Sequence, residues 1–132
     1  MADDLENIQS LISRFKRPIP EGNKYKDRLV EEFELILNLR FTQYFHKICD
    51  IIDLTQDLQH MTRGSAGSSL ICYLLGITDV DPIKWNIPVA RFMNPMRDDL
   101  PDVDIDFEHH QQGEVMQRIS VSYTHLTLPT IE

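Results

Sequence analysis

The stretch Pro-Asp-Val-Asp-Ile-Asp-Phe at residues 101–107 constrains this chain more than any other. Acidic and apolar residues alternate there with a period of two, the pattern of a strand with one polar and one buried face. Asp102, Asp104 and Asp106 share one side, and Val103, Ile105 and Phe107 turn toward a core. Like charges on one strand face repel, so a positive group has to compensate them. Same-face neighbours lie about 6.5–7 Å apart along a strand. Two carboxylates at that spacing can bracket divalent ions, which sit about 3.5–4 Å apart in paired phosphoryl-transfer sites. Magnesium favours one or two carboxylates together with substrate phosphates. The plainer reading is a solvated face whose charges discourage strand pairing.

Bulk properties narrow the choice. The chain has 132 residues, 42% of them hydrophobic, which suits one domain with a modest core. Its formal net charge of -8 is a poor match to a domain whose main task is gripping a phosphate backbone. It does permit a site where a metal ion supplies the positive charge. Cys49 and Cys72 lack the spacing of a zinc ligand set and read as small buried residues in a reducing compartment. No apolar run approaches the roughly 18 residues of a membrane span. The acidic start MADDLENIQS is unlike a targeting peptide. A soluble, cytoplasmic protein is expected.

Along the chain, Leu5, Ile8, Leu11, Ile12 and Phe15 predict an amphipathic helix, followed by a linker over residues 16–24 that contains Pro18, Pro20 and Gly22. A second helix is predicted over 25–39 on Leu29, Phe33, Ile36 and Leu37. A third carries Phe41, Tyr44, Phe45, Ile48, Ile51 and Ile52. Residues 57–65 read as a polar stretch, 69–75 as a buried helix closed by Gly76, and 77–100 as irregular. The segment Glu114–Ile119 has a helical pattern, and His109 and His110 read as an exposed helix start rather than metal ligands.

A second motif gives the acidic strand a partner. Arg63-Gly64-Ser65-Ala66-Gly67-Ser68-Ser69 precedes the buried helix. Amides at a helix start bind anions, and glycine lets a phosphate approach the backbone closely. Serine hydroxyls and the Arg63 fork add donors. An ordinary helix cap is the alternative. Together the two motifs pair a phosphate cradle with a metal face.

From RGSAGSSLICYLLGITDVDPIKW through RFMNPMRDDLPDVDIDF, the chain resembles the palm core of the bacterial DNA polymerase III alpha subunit family, the C-family polymerases. Tyr25, Arg28, Leu29 and Glu32, and then Phe41, Tyr44, Phe45 and Asp50, resemble the helices that precede that palm. The resemblance covers residues 25–119. It implies an α+β fold, with N-terminal helices packed on an incomplete nucleotidyltransferase-like palm sheet. It also implies that Asp104 and Asp106 are two of three catalytic aspartates, which bind two Mg2+ ions in the complete enzyme. Gly64 and Ser65 would contact the triphosphate, with Arg63, Ser68, Ser69 and Arg91 completing the nucleotide site. The implied reaction is attack of a primer 3′-hydroxyl on a deoxynucleoside triphosphate, and the implied partners are primer-template DNA and other replisome subunits, with no membrane.

In that frame residues 1–24 form an N-terminal helix and linker, and residues 25–119 a partial palm. Residues 120–132, containing VSYTHL, resemble translated read-through of a sequencing adapter and are set aside. The family's third catalytic aspartate, fingers and thumb would follow residue 119, so the fragment alone is expected to be inactive. Two other readings compete: a nucleotide- or metal-binding module without catalysis, and a metal-dependent phosphodiesterase.

Overall fold

A computed structural model describes residues 2–58, 60–97, 99–122 and 130–131. Five α-helices and three short strands occur among them: α1 (Ala2–Ile12), α2 (Asn23–Leu39), α3 (Thr42–Leu54), β1 (His60–Arg63), α4 (Leu70–Leu74), β2 (Asp104–Phe107), α5 (Gln112–Ser122) and β3 (Thr130–Ile131). Three 3-10 turns connect them, at Gly64–Ser68, Val89–Arg91 and His109–Gln111. The mixture is α+β, as the sequence predicts. None of these helices is long and apolar enough to cross a membrane.

Apolar periodicity explains the two longer helices. On α3, Phe45, Ile48 and Ile51 lie fully inside, and Ile36 of α2 joins them. Ile71 of α4, Ile105 of β2 and Ile119 of α5 close the same core. Cys49 and Cys72 are free and buried, in line with the sequence. Burial pushes the Cys49 thiol up to about 11, so it is inert at neutral pH.

The first helix is shorter than its apolar pattern predicts. It ends at Ile12, and Phe15 sits in the turn that follows. Leu5 and Ile12 face solvent, while Leu11 is buried in the common core. The linker after α1 is fastened down rather than loose. The Lys16 and Arg17 amides donate to Leu74 O at 2.7 and 3.2 Å, meeting carbonyls left open at the end of α4. Gly76 makes this contact possible, because its φ is +78° and a Cβ there would come within 2.9 Å of Lys16 Cδ.

β2 is the central strand, antiparallel to β1 and parallel to β3. The register pairs Arg63 with Asp104 and His60 with Phe107. β1 lies in the stretch read as polar. Its half-buried residues are His60 and Thr62, and Met61 and Arg63 point outward, so no apolar period marks it. β2 is shorter than the seven-residue alternation, and Asp102 lies exposed ahead of it. Pairing stops at Arg63–Asp104 because Gly64, at φ +84°, turns the partner chain away.

Helix α5 runs through Ser122, across the expected boundary at residue 119. Of the stretch compared with an adapter, residues 123–129 and 132, including Tyr123 and His125, lie outside the described residues.

Candidate nucleotide and metal site

The period of two on β2 does what the sequence requires. Ile105 and Phe107 are buried, while Asp104 and Asp106 lie half-buried on the opposite face. Directly paired residues of an antiparallel ladder share a face, so Arg63 stands on the acidic side. Its guanidinium reaches diagonally to Asp106: Nε meets Oδ2, and Nη2 donates to Oδ1 at 3.1 Å. This fork is the compensating charge that the alternating aspartates call for. No side chain among the described residues bonds the Asp104 carboxylate.

The glycine turn follows Arg63 directly. A Cβ on Gly64 would lie 3.3 Å from Asp104 Oδ2, so the turn and the acidic strand touch at this position. Gly64, Ser65, Gly67 and Ser68 line a cleft of about 510 Å³ together with Val80, Ile87 and Arg91. The cleft therefore brings together four of the six predicted nucleotide-binding residues, Gly64, Ser65, Ser68 and Arg91. Arg91 is exposed and has no ion-pair partner among the described residues. Arg63 lies next to the cleft, turned to Asp106.

Ser69 is placed elsewhere. It is fully buried, it caps α4 by accepting from the Cys72 amide at 3.1 Å, and its hydroxyl donates to Glu32 Oε1 at 2.7 Å. The start of α4, read from sequence as an anion site, is already filled. Glu32 of α2 accepts from the Leu70 amide at 2.7 Å and the Ile71 amide at 3.1 Å. Arg28, one turn earlier, donates to the same carboxylate at 2.9 Å. It also donates to Ser68 O at 2.8 Å and to Ile87 O, tying two residues that line the cleft to α2. Burial pushes the Glu32 carboxyl above its ordinary value, against the opposing pull of Ser69, Ile71, Leu70 and Arg28. Glu32 thereby occupies the α4 amides, and a second anion there would meet a carboxylate.

Other positioning contacts are also long-range. Tyr25 donates to Asp81 Oδ2 at 2.7 Å, and Asp81 Oδ1 in turn accepts from the Ile83 and Lys84 amides. Arg17 bonds Thr78 O at 2.7 Å and Asp79 at 2.6 Å. These bonds fix the irregular segment that carries Val80 and Ile87. Tyr44 of α3 donates to Pro101 O and so holds the entry to β2. Its hydroxyl is pushed up to about 12, by burial first and by Asp102 and Asp104 as well. Sequence gave one hint of this scaffold: Arg28 and Glu32 stand four apart on the helix, ready to pair.

The acidic face fits a hard divalent cation, because Asp104 and Asp106 offer hard oxygen donors on one side of a strand. No group of three or more His, Cys, Asp or Glu side chains is placed to hold a metal among the described residues. His109 and His110 are exposed on the turn before α5, and His110 lies 3.5 Å from Glu108.

Comparison with known proteins identifies the family. The family model described as the bacterial DNA polymerase III alpha NTPase domain matches residues 5–131. The DNA polymerase III subunit alpha of Staphylococcus aureus (strain MRSA252) is 39% identical over 119 residues, covering 88% of this chain and 11% of the relative. The error-prone DNA polymerase of Cutibacterium acnes (strain DSM 16379 / KPA171202) is 40% identical over 100 residues, covering 74% of this chain and 9% of the relative. The chain thus spans about a tenth of the length of the curated relatives it matches. With its acidic strand, glycine turn and the helices that brace them all inside the matched region, the chain belongs to the bacterial DNA polymerase III alpha family.

Proposed function

We propose that this segment forms the nucleotide- and metal-binding part of a DNA polymerase palm, contributing to transfer of a deoxynucleotide from its triphosphate to a primer 3′-hydroxyl. The observation that carries this reading is the junction of cleft and acid, where Gly64 abuts the Asp104 carboxylate. The small sheet is read as the start of a nucleotidyltransferase-like palm, with primer-template DNA and replisome subunits as partners and the cytoplasm as its location. Asp104 and Asp106 would hold Mg2+, which when bound stabilises charge on the attacking and leaving oxygens. The chain's own residues do the rest. The backbone amides at the start of the Gly64–Ser68 turn donate to phosphate oxygens, Arg91 neutralises their charge, and Val80 and Ile87 exclude water on one side.

The test is equilibrium binding of a fluorescent deoxynucleoside triphosphate to the chain. Binding should require Mg2+, be reversed by EDTA and be competed poorly by the monophosphate. Arg91→Gln should weaken it by about tenfold, the loss of one charged hydrogen bond to phosphate. Equal affinity for the monophosphate, or indifference to Mg2+, contradicts the reading and favours a phosphodiesterase or a structural turn.

A further inference from the structure

The Arg63–Asp106 fork points to a role beyond charge balance. We propose that Arg63 is a latch on the acidic face, holding Asp106 while the cleft is empty and moving to the phosphates of an arriving nucleotide. The inference rests on the reading of Asp104 and Asp106 as the metal-holding pair.

Three observations carry it. Both oxygens of Asp106 are engaged by one guanidinium, so another cation has to compete with the fork for this carboxylate. Asp104, two residues away on the same face, has no such partner among the described residues, so the competition is selective. The latch can also open: the Arg63 side chain is 51% exposed and that of Asp106 is 30% exposed. An exposed ion pair is weak and readily exchanged. Arg63 sits one residue before Gly64, on the rim of the cleft, and a guanidinium fork matches phosphate as well as carboxylate. A triphosphate in the cleft therefore offers Arg63 an alternative partner and uncovers Asp106. Nucleotide and cation would then bind cooperatively, each raising the affinity for the other.

The test uses Mn2+ alone as the probe, with free Mn2+ followed by electron paramagnetic resonance and folding checked by circular dichroism. Arg63→Gln should tighten Mn2+ binding about three- to fivefold, the upper range for release of an exposed ion pair. Arg63→Lys, which keeps the charge and loses the fork, should fall between wild type and Arg63→Gln. Asp106→Asn should erase the difference, so that the single variant and R63Q/D106N bind Mn2+ alike. An Arg63→Gln affinity equal to or weaker than wild type overturns the latch. A gain of the same size in the D106N background does so too, because it shows a bulk charge effect. The underlying metal reading fails separately if Asp104→Asn and Asp106→Asn both leave wild-type Mn2+ affinity unchanged, and the latch then falls with it.

Discussion

Replacing Glu32 with alanine is expected to remove about 3–5 kcal/mol of stability, the usual cost of taking one partner from a buried ion pair. The substitution strands the Ser69 hydroxyl and the Leu70 and Ile71 amides, and it takes the counter-charge from Arg28, which keeps only its bonds to Ser68 O and Ile87 O. All are cut off from water, since Glu32 is fully buried and the Arg28 side chain is 11% exposed. A domain of this size is held by about 5–15 kcal/mol in total, so the loss is a large fraction of it. Glu32→Gln keeps one of the two acceptor oxygens, so either the Leu70 or the Ile71 amide loses its acceptor, and it loses the charge opposite Arg28; it should cost about 1–3 kcal/mol. Removing both charges with Arg28→Met and Glu32→Leu should restore part of the loss, because no unpaired charge stays buried. Urea unfolding followed by circular dichroism reads all of these. A Glu32→Ala protein within about 0.5 kcal/mol of wild type would show that the turn is held by something else.

The second large effect concerns chemistry. In a full-length polymerase III alpha carrying these residues, Asp104→Asn or Asp106→Asn is expected to slow primer extension by about 10³-fold. That factor corresponds to about 4 kcal/mol, within the several kcal/mol that metal-assisted charge stabilisation supplies. Asparagine keeps the size and most of the hydrogen bonding, so the loss isolates the charge. Asp102→Asn is the internal control. Asp102 precedes the strand and is exposed, so its substitution should change the rate by less than about fivefold. An Asp102 variant as slow as the Asp104 variant would mean that the register of the acidic face has been misread.

What the sequence disclosed follows from how far apart the interacting residues lie. The faces of β2 and the apolar stripes of α2 and α3 are local patterns, and they were legible. So was the glycine turn, whose residues line the cleft. β1 escaped because its inward residues are His60 and Thr62, which carry no apolar period. The role given to the α4 terminus failed for a different reason. The anion that fills it comes from Glu32, 37 to 39 residues earlier, and no local rule brings that carboxylate there. Ser69 looked like a phosphate donor for the same reason, whereas its hydroxyl faces Glu32. The overlong α1 prediction rested on Phe15, which sits in the turn after the helix ends at Ile12. The compensating group for the aspartates was also out of sequence reach, since Arg63 lies 43 residues from Asp106.

The account's central claim is that phosphate binds the 64–68 turn beside Asp104 and not the helix start behind it. Amide chemical shifts of the 15N-labelled chain, titrated with dATP and Mg2+, test this most directly. The account predicts shifts at Gly64, Ser65, Gly67, Arg91 and Asp104, with Leu70 and Ile71 unmoved because Glu32 already holds their amides. Shifts centred on Leu70 and Ile71, with Gly64 and Asp104 silent, would contradict it.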